Sequence, residues 1–347
     1  MANKRMGTAQ AAYALGQETV APGTAAAADR RLSSEITITP TSTVERPAMQ
    51  RGWGIRTPAS EVVTSRGSTW SLADGPLLND DIIHFLAMSV AGSMTVAGSN
   101  PNVWTAARNI LVPLVPDTYT IWRSLSAADG TSFYQGVKCA HAATDSWTIT
   151  IPSQGVCTFS ASGFAQEPVD TTTDATALGL ATGTRYLAAS QDAVIYMDTS
   201  WAAVGSTKIG GEVLSASLTY NSGLTPLYTM TDDGGGFGYS DISYNAADNG
   251  WEFEMTALVE DADADLFATC RTAASAQSLL AFRVKLPTTL ASRYVQISFL
   301  ARITDAWIDD ISDDNGTQVV NIKCQETTDG TDAFEVVVAN DQAAQTG

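Results

Sequence analysis

Val295-Gln-Ile297-Ser-Phe299-Leu-Ala301-Arg-Ile303 alternates apolar and polar side chains, and it runs straight into Thr304-Asp305-Ala306-Trp307. That tetrapeptide nearly repeats Thr144-Asp145-Ser146-Trp147, which continues into a second alternating run, Trp147-Thr-Ile149-Thr-Ile151. Alternation with period two places one set of side chains on a core and the other on solvent, so both stretches read as β-strands. Working outward, each copy is followed by a turn and another short strand-like run, Val156 to Phe159 and Val319 to Cys324. Upstream of each lies a Trp-led alternating run and an acidic helix start: Trp70-Ser-Leu72 before Asn79-Asp80-Asp81-Ile82, and Trp251-Glu-Phe253 before Asp261-Ala-Asp263-Ala-Asp265. Ile36-Thr-Ile38 and Leu214-Ser-Ala216-Ser-Leu218 lie further upstream. Landmarks in the same order predict an internal duplication, and two tandem copies let an odd-numbered oligomer imitate an even-numbered ring.

The predicted fold is mainly β: two tandem antiparallel sandwich or barrel domains, each with one packed α-helix. Asn79 or Asp80 is expected to cap a helix through Met88, with Ile82, Ile83, Phe85 and Leu86 on or near one face. Asp263 or a neighbour is expected to start the other, with Leu266, Phe267 and Cys270 inward. Residues 1–33, rich in Ala, Gly and Thr, read as an extended arm; 34–168 as the first domain; 169–185 as a linker; 186–347 as the second domain. Trp70 to Trp147 spans more positions than Trp251 to Trp307, so the first copy carries an insertion, placed between Ser93 and Leu125. At 347 residues the chain has length for two domains, each with its own core.

Formal net charge is −18, unevenly spread. Residues 171–347 carry 8 basic against 24 acidic residues, whereas residues 1–66 carry 8 against 5. An acidic body argues against ordinary nucleic-acid binding, which replaces phosphate counterions with cationic groups. A basic leading segment on an acidic body suits contact between copies of the chain. No apolar run is long enough to cross a bilayer, and no apolar signal-peptide core follows Lys4-Arg5, so a cytoplasmic setting is expected. Cys139, Cys157, Cys270 and Cys324 lack CxxC spacing and read as buried thiols.

Chemistry leaves little trace in the sequence. His84 and His141, the two histidines, stand in no hydrolase motif and read as structural. Asp309-Asp310-Ile-Ser-Asp313-Asp314-Asn315-Gly316 fails the EF-hand spacing, as does the Asp261/Asp263/Asp265 series. Asp232-Asp233-Gly-Gly-Gly-Phe-Gly238 lacks the Lys-Ser/Thr of a phosphate loop. No catalytic residue, metal ligand or cofactor is predicted.

Several stretches together resemble the tail tube, or major tail, proteins of long-tailed bacterial and archaeal viruses. Tyr13-Ala-Leu-Gly16-Gln-Glu18-Thr19-Val-Ala-Pro22-Gly23-Thr24 is similar to their opening segment. The likeness continues through Ser34-Glu35-Ile36-Thr-Ile38, the loop with Arg51, Arg56 and Arg66, Trp70-Ser-Leu72, and Phe159-Ser-Ala-Ser-Gly163-Phe164-Ala165. Val194-Ile195-Tyr196-Met197-Asp198 and Gly210-Gly211-Glu-Val213-Leu-Ser215-Ala-Ser-Leu218-Thr219 resemble the family's middle region. The resemblance implies a virion structural protein of the tail, assembled in the host cytoplasm. It implies stacked rings around a channel that DNA traverses on ejection, with tape-measure, tail-terminator and tail-tip proteins as further partners and no membrane insertion. Two fused copies imply three chains per ring. Arg51, Trp53, Arg56 and Arg66 become candidates for contact between stacked rings. Asp232, Asp233, Asp241, Glu252 and Glu254 become candidates for a net-negative channel lining, which repels phosphate. Other virion β-proteins (a tail terminator, decoration protein or adhesin module) and a β-sandwich enzyme or carbohydrate-binding domain are the alternatives.

Overall fold

A computed structural model describes residues 10–19, 23–28, 30–45, 62–90, 94–99, 101–108, 116–126, 133–172, 186–209, 213–230, 237–244, 252–261, 265–290, 292–311, 318–327 and 334–341. The chain is mainly β, built from large antiparallel sheets, with two α-helices among the described residues. In order, the elements are β1 (Gln10–Gln17), β2 (Arg30–Leu32), β3 (Ile36–Glu45), β4 (Val62–Pro76), α1 (Ile82–Ala87), β5 (Thr95–Ala97), β6 (Asn102–Arg108), β7 (Tyr119–Ser126), β8 (Phe133–Ile151), β9 (Thr158–Ala165) and β10 (Val169–Thr171). There follow β11 (Val194–Asp198), β12 (Val213–Asn221), β13 (Leu224–Met230), β14 (Phe237–Tyr244), β15 (Glu252–Asp261), α2 (Leu266–Ala276), β16 (Leu280–Pro287), β17 (Tyr294–Ile311), β18 (Gln318–Glu326) and β19 (Phe334–Asn340).

Two long strands organise these elements. β8 pairs with β7 and β10 along its first part and with β9 and β12 along its second. β17 pairs with β16 and β19, then with β18. A bulge marks the change in each, between Thr144 and Ser146 in β8 and between Ile303 and Asp305 in β17. Bulges bend a strand and re-aim its pairing, which lets one strand serve two sheets. The result is a continuous antiparallel sheet of order β3–β4–β9–β8–β12–β15–β18–β17. Two further sheets share the long strands: β10–β8–β7–β1–β2 and β5–β6–β19–β17–β16–β11.

Six strand pairings of the first half have a counterpart in the second, while β1–β2, β5–β6 and β13–β14 have none. β1–β7, β3–β4, β4–β9, β7–β8, β8–β9 and β8–β10 have as counterparts β11–β16, β12–β15, β15–β18, β16–β17, β17–β18 and β17–β19. The register differs from that suggested by the tetrapeptides. Counting from the bulges, Trp147 corresponds to Ala306, one place before Trp307. Burial agrees: Trp147 is 1% exposed in the core, while Trp307, at 36%, points away from it. The same register sets Trp70, opposite Gly163, against Met255, opposite Cys324. Trp251 lies outside the described residues.

Three other expectations change. Within the expected arm, residues 10–17 form a strand paired on both sides, with Ala12, Tyr13, Ala14 and Leu15 buried, because β7 and β2 satisfy its backbone. Within the expected linker, Val169–Thr171 is β10, and 173–185 lie outside the described residues. The expected pair of cores is replaced by one main cluster with members in both halves, from Leu15 and Trp70 to Phe253 and Val338. The first half's insertion supplies β5 and β6, and β6 pairs with β19, so the extra residues extend the other half's sheet.

Both predicted helices are present, with different caps. α1 begins at Ile82, and Asp81 at its cap makes no side-chain capping bond. Asp80 and Asp81 instead pair with buried Arg30, at 3.6 and 3.9 Å. Asn79 donates to the carbonyl of Ala339 at 3.0 Å, and Asn340 donates to the carbonyl of Asn79 at 3.2 Å, fastening the helix start to β19. All six α1 residues are buried. In α2 only Leu266 and Cys270 are buried, and Asp261 caps it by accepting from the N–H groups of Leu266 and Phe267.

Candidate assembly surface

Ionisable groups inside the protein serve the scaffold. His84 sits in the core with Nδ1 3.4 Å from the Tyr119 hydroxyl, and burial, then the Arg30 charge, lowers its pKa to about 3. His141 has φ 55° beside the β8 bend, and its ring stacks on Tyr239 with centroids 4.7 Å apart. Burial lowers its pKa against the opposing pull of Glu18 and Asp241. The four cysteines are free and buried, and burial raises Cys139 and Cys157 to about 11 and Cys270 to about 12. Among the described residues no group of three or more His, Cys, Asp or Glu side chains could hold a metal ion, and no helix is long and apolar enough to cross a membrane.

Two carboxylates pin the loops that follow the first strand of each half. Glu18 accepts from the Gly23 N–H and Thr118 hydroxyl at Oε2, and from the Thr120 hydroxyl and His141 N–H at Oε1. Asp198 accepts from the N–H groups of Gly205, Ser206 and Thr207. Gly23 and Gly205 have φ of +82° and +94°, a region glycine enters without steric cost. A third fastening joins the halves: the β13–β14 hairpin sets Leu224 and Tyr239 against Ala143 and Phe164.

The eight-stranded sheet has one face turned from the core and two end strands. Its ends are β3, paired only with β4 among the described residues, and the second part of β17, paired there only with β18. An open edge presents unpaired N–H and C=O groups and is a template for another strand. Pro40, exposed on β3, is placed where a sheet tolerates proline, at an edge. The middle of the same sheet is a worked joint between halves: β8 and β12 pair over six consecutive positions, Ala216 opposite Ile151 through Asn221 opposite Ser146.

The face turned from the core changes character across that joint. On the first half it carries hydroxyls, including Thr39, Thr69, Ser71, Ser146, Thr148 and Ser162; Ser146 and Ser162 lie 2.9 Å apart. A trough of about 480 Å³ opens there between β3, β4 and the hairpin residues Pro226 and Tyr228. On the second half the face carries Glu252, Glu254, Glu260 and Asp305 against Arg302 and Lys323. Glu254 and Lys323 form an ion pair at 2.8 Å, each close to half exposed.

The predicted site residues divide accordingly. Glu252 and Glu254 lie together on this face of β15, opposite the buried Phe253 and Met255. Asp241 stands apart on β14, exposed, with Oδ1 accepting from the N–H of Ile242. Arg66 on β4 lies 3.8 Å from Glu167 of its own chain, both partly exposed. Arg51, Trp53, Arg56, Asp232 and Asp233 lie outside the described residues. Unforeseen are the role of Glu18 as a four-donor acceptor and the edge position of Trp307. No protein-family model matches the chain, and a search of the curated proteins finds no match.

Proposed function

We propose that this chain is a virion structural protein that assembles into stacked rings forming a hollow viral tail tube. The observation that carries the reading is the continuous sheet: two halves with matching strand pairings are joined internally at β8–β12, and among the described residues each end strand is paired on one side only. A joint that works once inside the chain can be repeated between chains, and a head-to-tail contact that closes makes a ring and hides every edge. Two halves per chain make three chains a pseudo-sixfold ring. The hydroxyl and carboxylate face of the sheet then lines the channel. Its named charges sum to −2, four acids against two bases, so it offers phosphate no cationic surface to hold. Tape-measure, tail-terminator and tail-tip proteins are partners on this reading, and contact between stacked rings is assigned to the leading segment with Arg51, Trp53, Arg56 and Arg66.

Negative-stain and cryo-electron microscopy of the purified protein over a range of concentrations test the reading. Tubes, or rings with three chains and six lobes, are expected. A protein that stays monomeric at every concentration overturns it, and rings of six complete chains overturn the duplicated-unit part. Contact through the leading segment is tested with Arg51→Glu and Arg56→Glu, which leave β1 in place and are expected to give folded chains that fail to polymerise.

A further inference from the structure

The internal joint offers, residue by residue, a template for a joint between chains. The inference rests on the ring reading and adds the register. In β12, Ala216 lies opposite Ala257, which lies opposite Ile322; in β3, Ile36 lies opposite Leu72, which lies opposite Ala161. Ile322 and Ala161 in turn face Ala306 and Trp147, each two residues beyond its strand's bulge residue. Ile36 to Thr41 of β3 therefore corresponds to Ala216 to Asn221 of β12. By the same count Asp305, Ala306 and Trp307 of β17 correspond to Ser146, Trp147 and Thr148 of β8.

From this we infer that β3 of one copy pairs antiparallel with β17 of the next copy, with Thr39 opposite Trp307, Pro40 opposite Ala306 and Thr41 opposite Asp305. The facing rule holds but for Pro40, which is exposed although its place in the alternation faces the core, and which has no N–H to offer Ala306, so this joint makes one backbone bond fewer than its internal counterpart. Ile36 is buried and Ile38 and Ala306 pack on the core, while Thr39, Thr41, Asp305 and Trp307 are exposed and turn away from it. A one-residue slip would put Trp307 opposite a core-facing position, so the register is specified. Trp307 is among the few large apolar side chains exposed on the described surface, and it stands on the edge that needs covering. The internal counterpart of its partnership with Thr39 is the pair Thr148 and Thr219, whose hydroxyls lie 3.4 Å apart. An aromatic against a β-branched residue is a favourable cross-strand pair.

Disulfide trapping between separately made chains tests the register. Thr39→Cys chains are mixed with Trp307→Cys chains under mild oxidation; directly opposite strand residues lie within disulfide reach. Both positions are exposed, and the native thiols are buried. A covalent dimer is expected in the mixture and in neither variant alone. It is lost when Lys323→Cys, one strand further in, replaces Trp307→Cys. Rings seen by microscopy in the same mixture without that cross-link overturn the register while leaving the ring reading intact. Wild-type protein that sediments only as monomer overturns both.

Discussion

Replacing Glu18 with alanine removes, at one stroke, the acceptor for two backbone N–H groups and two hydroxyls drawn from three separate stretches of chain. The donors lie at 2.8 Å for Gly23, Thr118 and His141 and at 2.9 Å for Thr120. A hydrogen bond to a charged group contributes about 1.5–3 kcal/mol, and a donor left buried without a partner costs about 1–3 kcal/mol. Glu18 and Gly23 are half-buried while Thr118, Thr120 and His141 are buried, so water entering the vacated space replaces only part of what the carboxylate supplied. The expected destabilisation is about 3–5 kcal/mol. Glu18→Gln keeps one acceptor oxygen and aims an amide NH2 at donors, so it should fall between wild type and alanine. Urea unfolding followed by tryptophan fluorescence measures the difference as a shift of midpoint at constant slope. Amide exchange should quicken first at Gly23 and His141, since both lose their acceptor. A Glu18→Ala protein within about 0.5 kcal/mol of wild type, the range of an ordinary surface change, would refute this account of the loop and the β8 bend.

Trp147→Ala, which empties a core position stacked on Tyr220 at 5.2 Å, should cost about 3–5 kcal/mol. Trp307→Ala should leave monomer stability within about 0.5 kcal/mol while weakening assembly, as sedimentation would register. Burial raises Glu326 to about 7 and Asp117 to about 6, so the folded protein binds protons that the unfolded chain has released. Stability from these two groups is therefore present at low pH and lost as pH rises from the ordinary carboxylate range through those values. Glu326→Gln should remove part of that falling slope in urea midpoints taken between pH 4.5 and 7.5. Ellman's reagent should find no reactive thiol in native protein and four after denaturation, because all four cysteines are buried.

Period-two alternation made the strands readable. Phe253 and Met255 point to the core with Glu252 outward, and Trp147, Ile149 and Ile151 do the same against Thr148. Both helices were readable because the apolar spacing at Ile82–Leu86 and at Leu266 and Cys270 follows acidic starts. The caps were not: which of several clustered aspartates meets an N–H depends on where Arg30 and β19 arrive. The matching tetrapeptides pointed to a repeated strand order but gave a register one residue out. A bulge adds a residue without any mark in sequence, and Asp145 and Thr304, the residues taken up by the bulges, fall at different places in the two motifs. Glu18 stood in a stretch that resembled the tail tube family, yet three of its four donors lie about a hundred residues or more away, at Thr118, Thr120 and His141. Of the candidate channel residues, Glu252 and Glu254 were placed by alternation alone, whereas Asp241 belongs to a hairpin whose packing only the fold reveals.

The β8–β12 joint lies within a single polypeptide, and that bears on how assembly starts. In a ring closed as proposed, every second joint is complete once the chain has folded, and its formation does not depend on how dilute the protein is. Tethered partners meet at an effective concentration on the order of millimolar, far above what a newly made protein reaches. Ring onset should then rise with about the third power of free-chain concentration, where an unfused subunit would require about the sixth. Fusion of the halves thereby lowers the threshold for nucleation without any added contact. It also frees the outward faces of the two halves, one hydroxyl and one acidic, to diverge separately.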